Sequence, residues 1–168
     1  MSIRDAQRPI KASYRKEPGL AKITLVAKAE EAPEGAMSCS IDIGRAIYQA
    51  QAHAGVGGQG TSACSGDLLL GALAACSQIT IQMVADSMGI ELESVNVEVT
   101  GELDLRGTLG IDRSVPVGFQ NITTSVSIRG DLSSKQMETL KELSERCCVV
   151  LSTLRNPPVT ELLWKHEE

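Results

Sequence analysis

The sequence predicts an α+β fold, in which curved antiparallel sheets pack against a long buried central helix and a second, C-terminal helix. Three observations lead there. Two groups of short segments alternate apolar and polar residues, the pattern of half-buried strands. Between them lies one run of small and apolar residues, LLLGALAACSQITIQMVA, from Leu68 to Ala85. Downstream, Ser133 is followed three residues later by Gln136, the pattern of a capping box at a helix start.

The first 20 residues are charged and interrupted by Pro9, Pro18 and Gly19, and read as an N-terminal arm or short strand. Residues 21–168 read as a single α+β domain. KITLVAKAE, AMSCSIDI and RAIYQAQAH are three successive strand candidates, with the polar turn EEAPEG between the first two. AGVGGQGTSACSG follows as a glycine-rich loop. Ser65 is the expected N-cap of a helix from Gly66 to about Met88, with Asp67 in its first turn where the helix dipole favours an acid. Leu69, Leu73, Cys76, Thr80 and Met83 recur at spacings of three and four, which puts Cys76 on one broad face with the leucines. The other side is also apolar or small, with Gly71, Ala72, Ala74 and Ala75 open to close approach. Such a helix suits a position covered on several sides, in a core or at a dimer contact.

ESVNVEVTGELDL and FQNITTSVSIRG supply two more strands, through Val95, Val97 and Val99 and through Ile122, Thr124, Val126 and Ile128, with a long loop over 107–116. In the helix after Ser133, Met137, Leu140, Leu143 or Ser144, and Cys147 trace the inward face. Cys148 lies one step around, in line with Leu140, Ser144 and Leu151. A break close to Arg146 would rotate either thiol inward. Asn156-Pro157-Pro158 ends the helix, and VTELLW reads as a short terminal strand.

The 168 residues suit one domain that needs no metal or disulfide to hold its core. A net charge of −5, and no basic stripe with interleaved aromatics, argue against nucleic acid as a partner. The N-terminus lacks a signal-peptide core, and the apolar run from Leu68 to Ala85 is interrupted by Ser77, Gln78, Thr80 and Gln82, which argues against a membrane span. Five cysteines, an odd number, fit a reducing compartment such as the cytoplasm better than a disulfide scaffold.

Cys76 and Cys148 stand in unlike surroundings. Together they would equip a site for two-electron thiol chemistry; apart, they are ordinary buried cysteines, and spacing leaves both readings open. Neither CxxC nor HExxH occurs. A mixed metal site of His53, Cys76 and Cys148 has no supporting spacing. GVGGQG lacks the dinucleotide fingerprint, and Asp67 just beyond it would repel a phosphate, so no cofactor is expected and a mobile rim loop fits better.

GDLLLGALAAC, Gly66 to Cys76, resembles the central helix of the OsmC/Ohr family, the osmotically inducible protein C and organic hydroperoxide resistance proteins. GVGGQG before it and Cys148-Val149-Val150 leading into STLRNPP add to the resemblance, which spans roughly residues 21–163. It implies a thiol-dependent peroxidase that reduces organic hydroperoxides, built as an intertwined homodimer with two sites at the subunit contact. By this resemblance Cys76 is the peroxidatic cysteine and Cys148 the resolving one. Asp67 stands at the position of a glutamate that orients an arginine from the N-terminal strands. Arg45, which opens a strand before the glycine loop, is the first choice for that arginine, and Arg15 is its rival. The thiolate of Cys76 would attack the peroxide and become a sulfenic acid. Cys148 would condense with it to a disulfide, and an external dithiol, of lipoyl type for example, would reduce the bridge. The sequence departs from the family pattern at Val149, where a proline is usual, at the extra Cys147, and at Asp67 in place of glutamate. The rival reading is a non-catalytic dimer that binds a small apolar ligand with incidental thiols.

Overall fold

The computed structural model describes residues 7, 12–13, 16–17, 28–31, 38–42, 47–110 and 112–167. Arg15 and Arg45 lie outside them. Within the expected N-terminal arm, the described positions Gln7, Ala12, Ser13 and Lys16 are helical rather than extended.

Three strands, β1 (Lys28–Glu31), β2 (Ser38–Asp42) and β3 (Ile47–Gln51), form an antiparallel meander. The register pairs Lys28 with Asp42 and Ser38 with Gln51. The Gln51 N–H donates to the Ala63 carbonyl at 3.0 Å, which ties the meander to the approach of the long helix. That helix, α1, runs Ser65–Met88. Its N-cap is Cys64, one residue before the expected Ser65. Gly89 ends it in the left-handed conformation, φ 70°, where its missing Cβ removes the steric cost.

Strands β4 (Ser94–Glu102) and β5 (Asn121–Arg129) pair antiparallel, with Val95 opposite Ile128 and Val97 opposite Val126. The alternation that marks them in the sequence is the alternation of their packed face. β4 stops at Glu102, short of the expected Leu105. Asp104 there accepts from the Arg106 N–H at 3.1 Å and starts a single helical turn, α2 (Leu105–Thr108). Gly101 is required by its neighbour, since a Cβ there would come within 2.6 Å of the Phe119 ring.

Helix α3 (Ser134–Cys147) begins with the expected capping box. It ends at Cys148, and a separate short helix, α4 (Val149–Arg155), starts at the next residue. Two adjacent β-branched valines follow the break and lower the local helix preference. The terminal strand expected at VTELLW does not form: residues 157–167 have no regular secondary structure and join neither sheet, and Trp164 is 86% exposed. A strand exists only where an edge supplies partners for its N–H and C=O groups.

The core is Ile81 and Ala85 of α1, Ile90, Val95 of β4 and Leu140 of α3, flanked by Val84, Met88, Leu92, Val97, Ile128 and Leu132. Two sequence expectations about faces are corrected. On α1 the buried line is Leu73, Ser77, Ile81 and Ala85, one i+4 row, so the helix is covered along one stripe and not on every side. Leu69 is exposed, Cys76 flanks the row half-buried, and Ile79 stands 55% exposed. On α3 the inward row is Leu140, Ser144 and Cys148, while Met137 and Cys147 face out. By length and composition α1 could cross a membrane. Here it is a core helix, its Ile81 and Ala85 packed with β4 and α3.

Candidate active site

Cys76 and Cys148 meet where α1 passes the junction of α3 and α4. The rows explain the meeting. Leu73 and Ser77 pack α1 toward the helix pair, and Cys76 sits one step off that row. Leu140 and Ser144 carry Cys148 inward at the same level. The break at Cys148 leaves its backbone extended, φ −72° and ψ 109°, and its side chain 2% exposed. Cys147 is exposed on the other side of the chain.

Four groups converge on the two neighbouring sulfurs. Burial alone pushes the Cys76 thiol up. The Val150 N–H, the Cys148 thiol, the Thr80 hydroxyl and the Val149 N–H all donate to its sulfur, outweigh burial, and hold it below the ordinary thiol value. These N–H groups are free to do so because α4 has no side-chain cap. Next to Cys76 on α1, the Ser77 Oγ lies 3.7 Å from the Cys148 sulfur. Cys64, Cys76, Cys147 and Cys148 are all free thiols. Chemically the arrangement is a thiol whose ionisation is favoured, with a second thiol beside it as a candidate disulfide partner.

Asp67 is not part of this cluster within one chain. It lies nine residues before Cys76, two and a half turns, so the side chains leave opposite sides of α1, about 13 Å apart along its axis. Its carboxylate accepts the Cys64 N–H at 2.9 Å, as N3 of a capping box. That bond, then the Cys64 thiol, hold Asp67 below the usual carboxylate value, with His53 adding a smaller pull. His53 is likewise elsewhere, its Nδ1 accepting the Gly55 N–H at 3.0 Å at the start of a 3-10 turn, Ala54–Val56. It lines a cavity of about 590 Å³ with Cys64 and Asp67, not with Cys76.

Sequence reasoning did not assign roles to Thr80, Ser77 or the two valine N–H groups. Thr80 was findable, being one turn after Cys76 on the same face. The N–H donors carry no side-chain signal at all. Cys148 also borders a cavity of about 480 Å³, walled by Phe119, Ile122, Leu151 and Leu154, with Glu145 and Arg155 paired at 3.0 Å on its rim.

A family model described as OsmC-like protein matches residues 58–162. No curated protein matches the chain in sequence. Among solved structures, the OsmC-like protein of Mycoplasma pneumoniae superposes with a TM-score of 0.66 at 17% identity, covering 81% of this chain and 90% of that one. An organic hydroperoxide resistance protein OsmC from Legionella pneumophila gives 0.61 at 23% identity, over 80% and 90%. An organic hydroperoxide resistance protein from Elizabethkingia anophelis gives 0.63 at 17%, over 81% and 91%.

Proposed function

This chain belongs to the OsmC-like family, and from that premise we propose that it is a thiol-dependent peroxidase acting on organic hydroperoxides. The observation that carries the reading is the contact between a stabilised Cys76 sulfur and the Cys148 thiol. In the proposed cycle the Cys76 thiolate attacks one peroxide oxygen, the O–O bond breaks and an alcohol leaves, with Cys76 oxidised to a sulfenic acid. Cys148 then forms the S–S bond and water departs. An external dithiol, of lipoyl type for example, reduces the bridge by two exchange steps. The cavity beside Cys148 is the proposed approach of that dithiol.

Arg45 is proposed to stabilise the thiolate and the leaving oxygen, with Arg15 as its rival and Asp67 as its orienting acid. Within one chain Asp67 and Cys76 leave opposite sides of α1, so the proposal is that a guanidinium held by Asp67 reaches the Cys76 of a second chain at a subunit contact. Replacing Arg45 by Met is expected to slow peroxide consumption; unchanged kinetics would move the role to Arg15.

The proposed unit is a homodimer of residues 21–168, the first 20 forming an arm. Leu69, Ala72, Ala75 and Ile79 leave one stripe of α1 uncovered, and Val159, Leu162, Leu163 and Trp164 are exposed together. Both are surfaces a second copy would bury. The curvature expected of the sheets belongs to that dimer, where strands of both chains would close around the helices. Sedimentation should give a dimer at micromolar concentration, and a stable monomer would contradict it. A mechanism that depends on reduced thiols and a dithiol donor suits the cytoplasm.

The test is steady-state consumption of cumene hydroperoxide with dihydrolipoamide as reductant. Turnover that disappears in Cys76→Ser supports the peroxidase. Absence of turnover in the wild type, with unselective slow oxidation of all thiols, supports instead the non-catalytic dimer that binds a small apolar ligand. The observation in its favour is a third cavity, of about 880 Å³, walled by Ile81, Val126, Ile128, Leu132 and Met137.

A further inference from the structure

Ser77 follows the proposed peroxidatic cysteine directly, yet its side chain faces the resolving one. It is 7% exposed, and its Oγ lies 3.7 Å from the Cys148 sulfur. Hydroxyl residues inside helices commonly return their proton to the carbonyl one turn back. Thr139 and Thr153 do so, to Lys135 and Val149, each at 2.9 Å. The Ser77 hydroxyl is turned to sulfur instead.

While Cys148 is a thiol, either atom can donate in that hydrogen bond. Once its sulfur ionises it has no proton to give, and only the Ser77 O–H can donate. Ser77 therefore meets the resolving sulfur beside the place where the disulfide would form.

We infer that Ser77 assists the resolving step, donating to the Cys148 sulfur as that sulfur gives up its proton and becomes the nucleophile that attacks the Cys76 sulfenic acid. The inference rests on the peroxidase reading. In the step, the Cys148 sulfur forms the S–S bond and the S–O bond of the sulfenic acid breaks. The departing hydroxide takes the Cys148 proton and leaves as water. Cys148 is oxidised and Cys76 reduced to the disulfide level, so no further reagent is needed. A hydrogen bond to a charged or charging group is among the stronger ones, and both partners are buried. The sulfenic acid is formed without involving Ser77, so the two steps separate.

The experiment follows both steps in the reduced full-length protein. One equivalent of cumene hydroperoxide is added, samples are quenched with dimedone at intervals, and mass spectrometry reads the Cys76 adduct and the disulfide. Alanine is a better helix former than serine, so Ser77→Ala keeps the helix. In that variant the sulfenic acid should form at the wild-type rate and decay to disulfide about tenfold more slowly, the scale of one hydrogen bond to a charged group. Ser77→Thr, which keeps the hydroxyl, should retain the wild-type decay. Decay at the wild-type rate in Ser77→Ala, equal slowing of both steps, or a Ser77→Thr decay as slow as that of Ser77→Ala overturns the inference while leaving the peroxidase reading intact. A wild type that never yields a Cys76 sulfenic acid overturns that reading, and the inference with it.

Discussion

Helices α3 and α4 follow one another directly, and their N-termini are treated in opposite ways. At α3 the start is closed on itself: the Ser133 Oγ accepts the Gln136 N–H at 3.3 Å, and the Gln136 Oε1 accepts the Ser133 N–H at 3.0 Å. At α4 no side chain caps the start. Its N–H groups, from Val149 and Val150, reach across to the Cys76 sulfur of α1. Every helix begins with N–H groups that need acceptors. A terminus satisfied by its own residues contributes stability. One whose acceptor is a thiol on another helix couples that requirement to the thiol's ionisation.

The largest effect expected from this contrast is chemical. Cys148→Ser removes the thiol at the open terminus and should leave a long-lived Cys76 sulfenic acid, lowering turnover with a dithiol by about a hundredfold or more, the scale on which loss of a directly acting group is felt. Cys147→Ser, at an exposed position one residue away, should change turnover by less than about twofold. Equal losses would mean that the break at Cys148 does not choose between the thiols.

A smaller effect concerns pH. The donors to Cys76 favour its thiolate, so removing one should raise the midpoint. Thr80→Val should therefore move the pH midpoint of Cys76 alkylation by iodoacetamide upward from the wild-type value, which itself lies below the ordinary thiol value. The same shift has a stability counterpart. A thiol with its folded value depressed contributes stability that is complete above the unfolded value and is lost as pH falls through the folded one. An unmoved midpoint in Thr80→Val would remove the hydroxyl from the account.

The smallest effect is expected at the closed terminus. Ser133→Ala should cost about 1 kcal/mol in urea unfolding, the usual worth of an N-cap, and leave Cys76 alkylation unchanged. A change in thiol reactivity there would erase the distinction between the two helix starts.

The contrast also explains what could be read in the sequence. The α3 capping box is a local pattern of two side chains, and it was legible. So were the extents of α1 and the paired alternation of β4 and β5, because each is a periodicity within one segment. The break at Cys148 was not legible as a definite boundary, since ERCCVVLSTLR contains neither glycine nor proline and continues a helical pattern. With the break unplaced, Met137 and Cys147 read as inward, whereas tertiary packing selects the Leu140, Ser144, Cys148 row. The backbone donors to Cys76 have no sequence signature. VTELLW has the composition of a strand, but pairing depends on an edge that composition cannot supply. Coverage of α1 on several sides, in a core or at a dimer contact, is legible only in part within one chain: its small and apolar residues describe what it can bury, and one chain covers the Leu73 to Ala85 row.

The central claim is that Cys76 and Cys148 form one redox pair. Peptide mapping of wild-type protein oxidised with one equivalent of cumene hydroperoxide tests it most directly. A dominant Cys76–Cys148 disulfide, with Cys64 and Cys147 still alkylatable, is the predicted result. A dominant Cys76–Cys147 bridge, or oxidation spread across all the thiols, would contradict it.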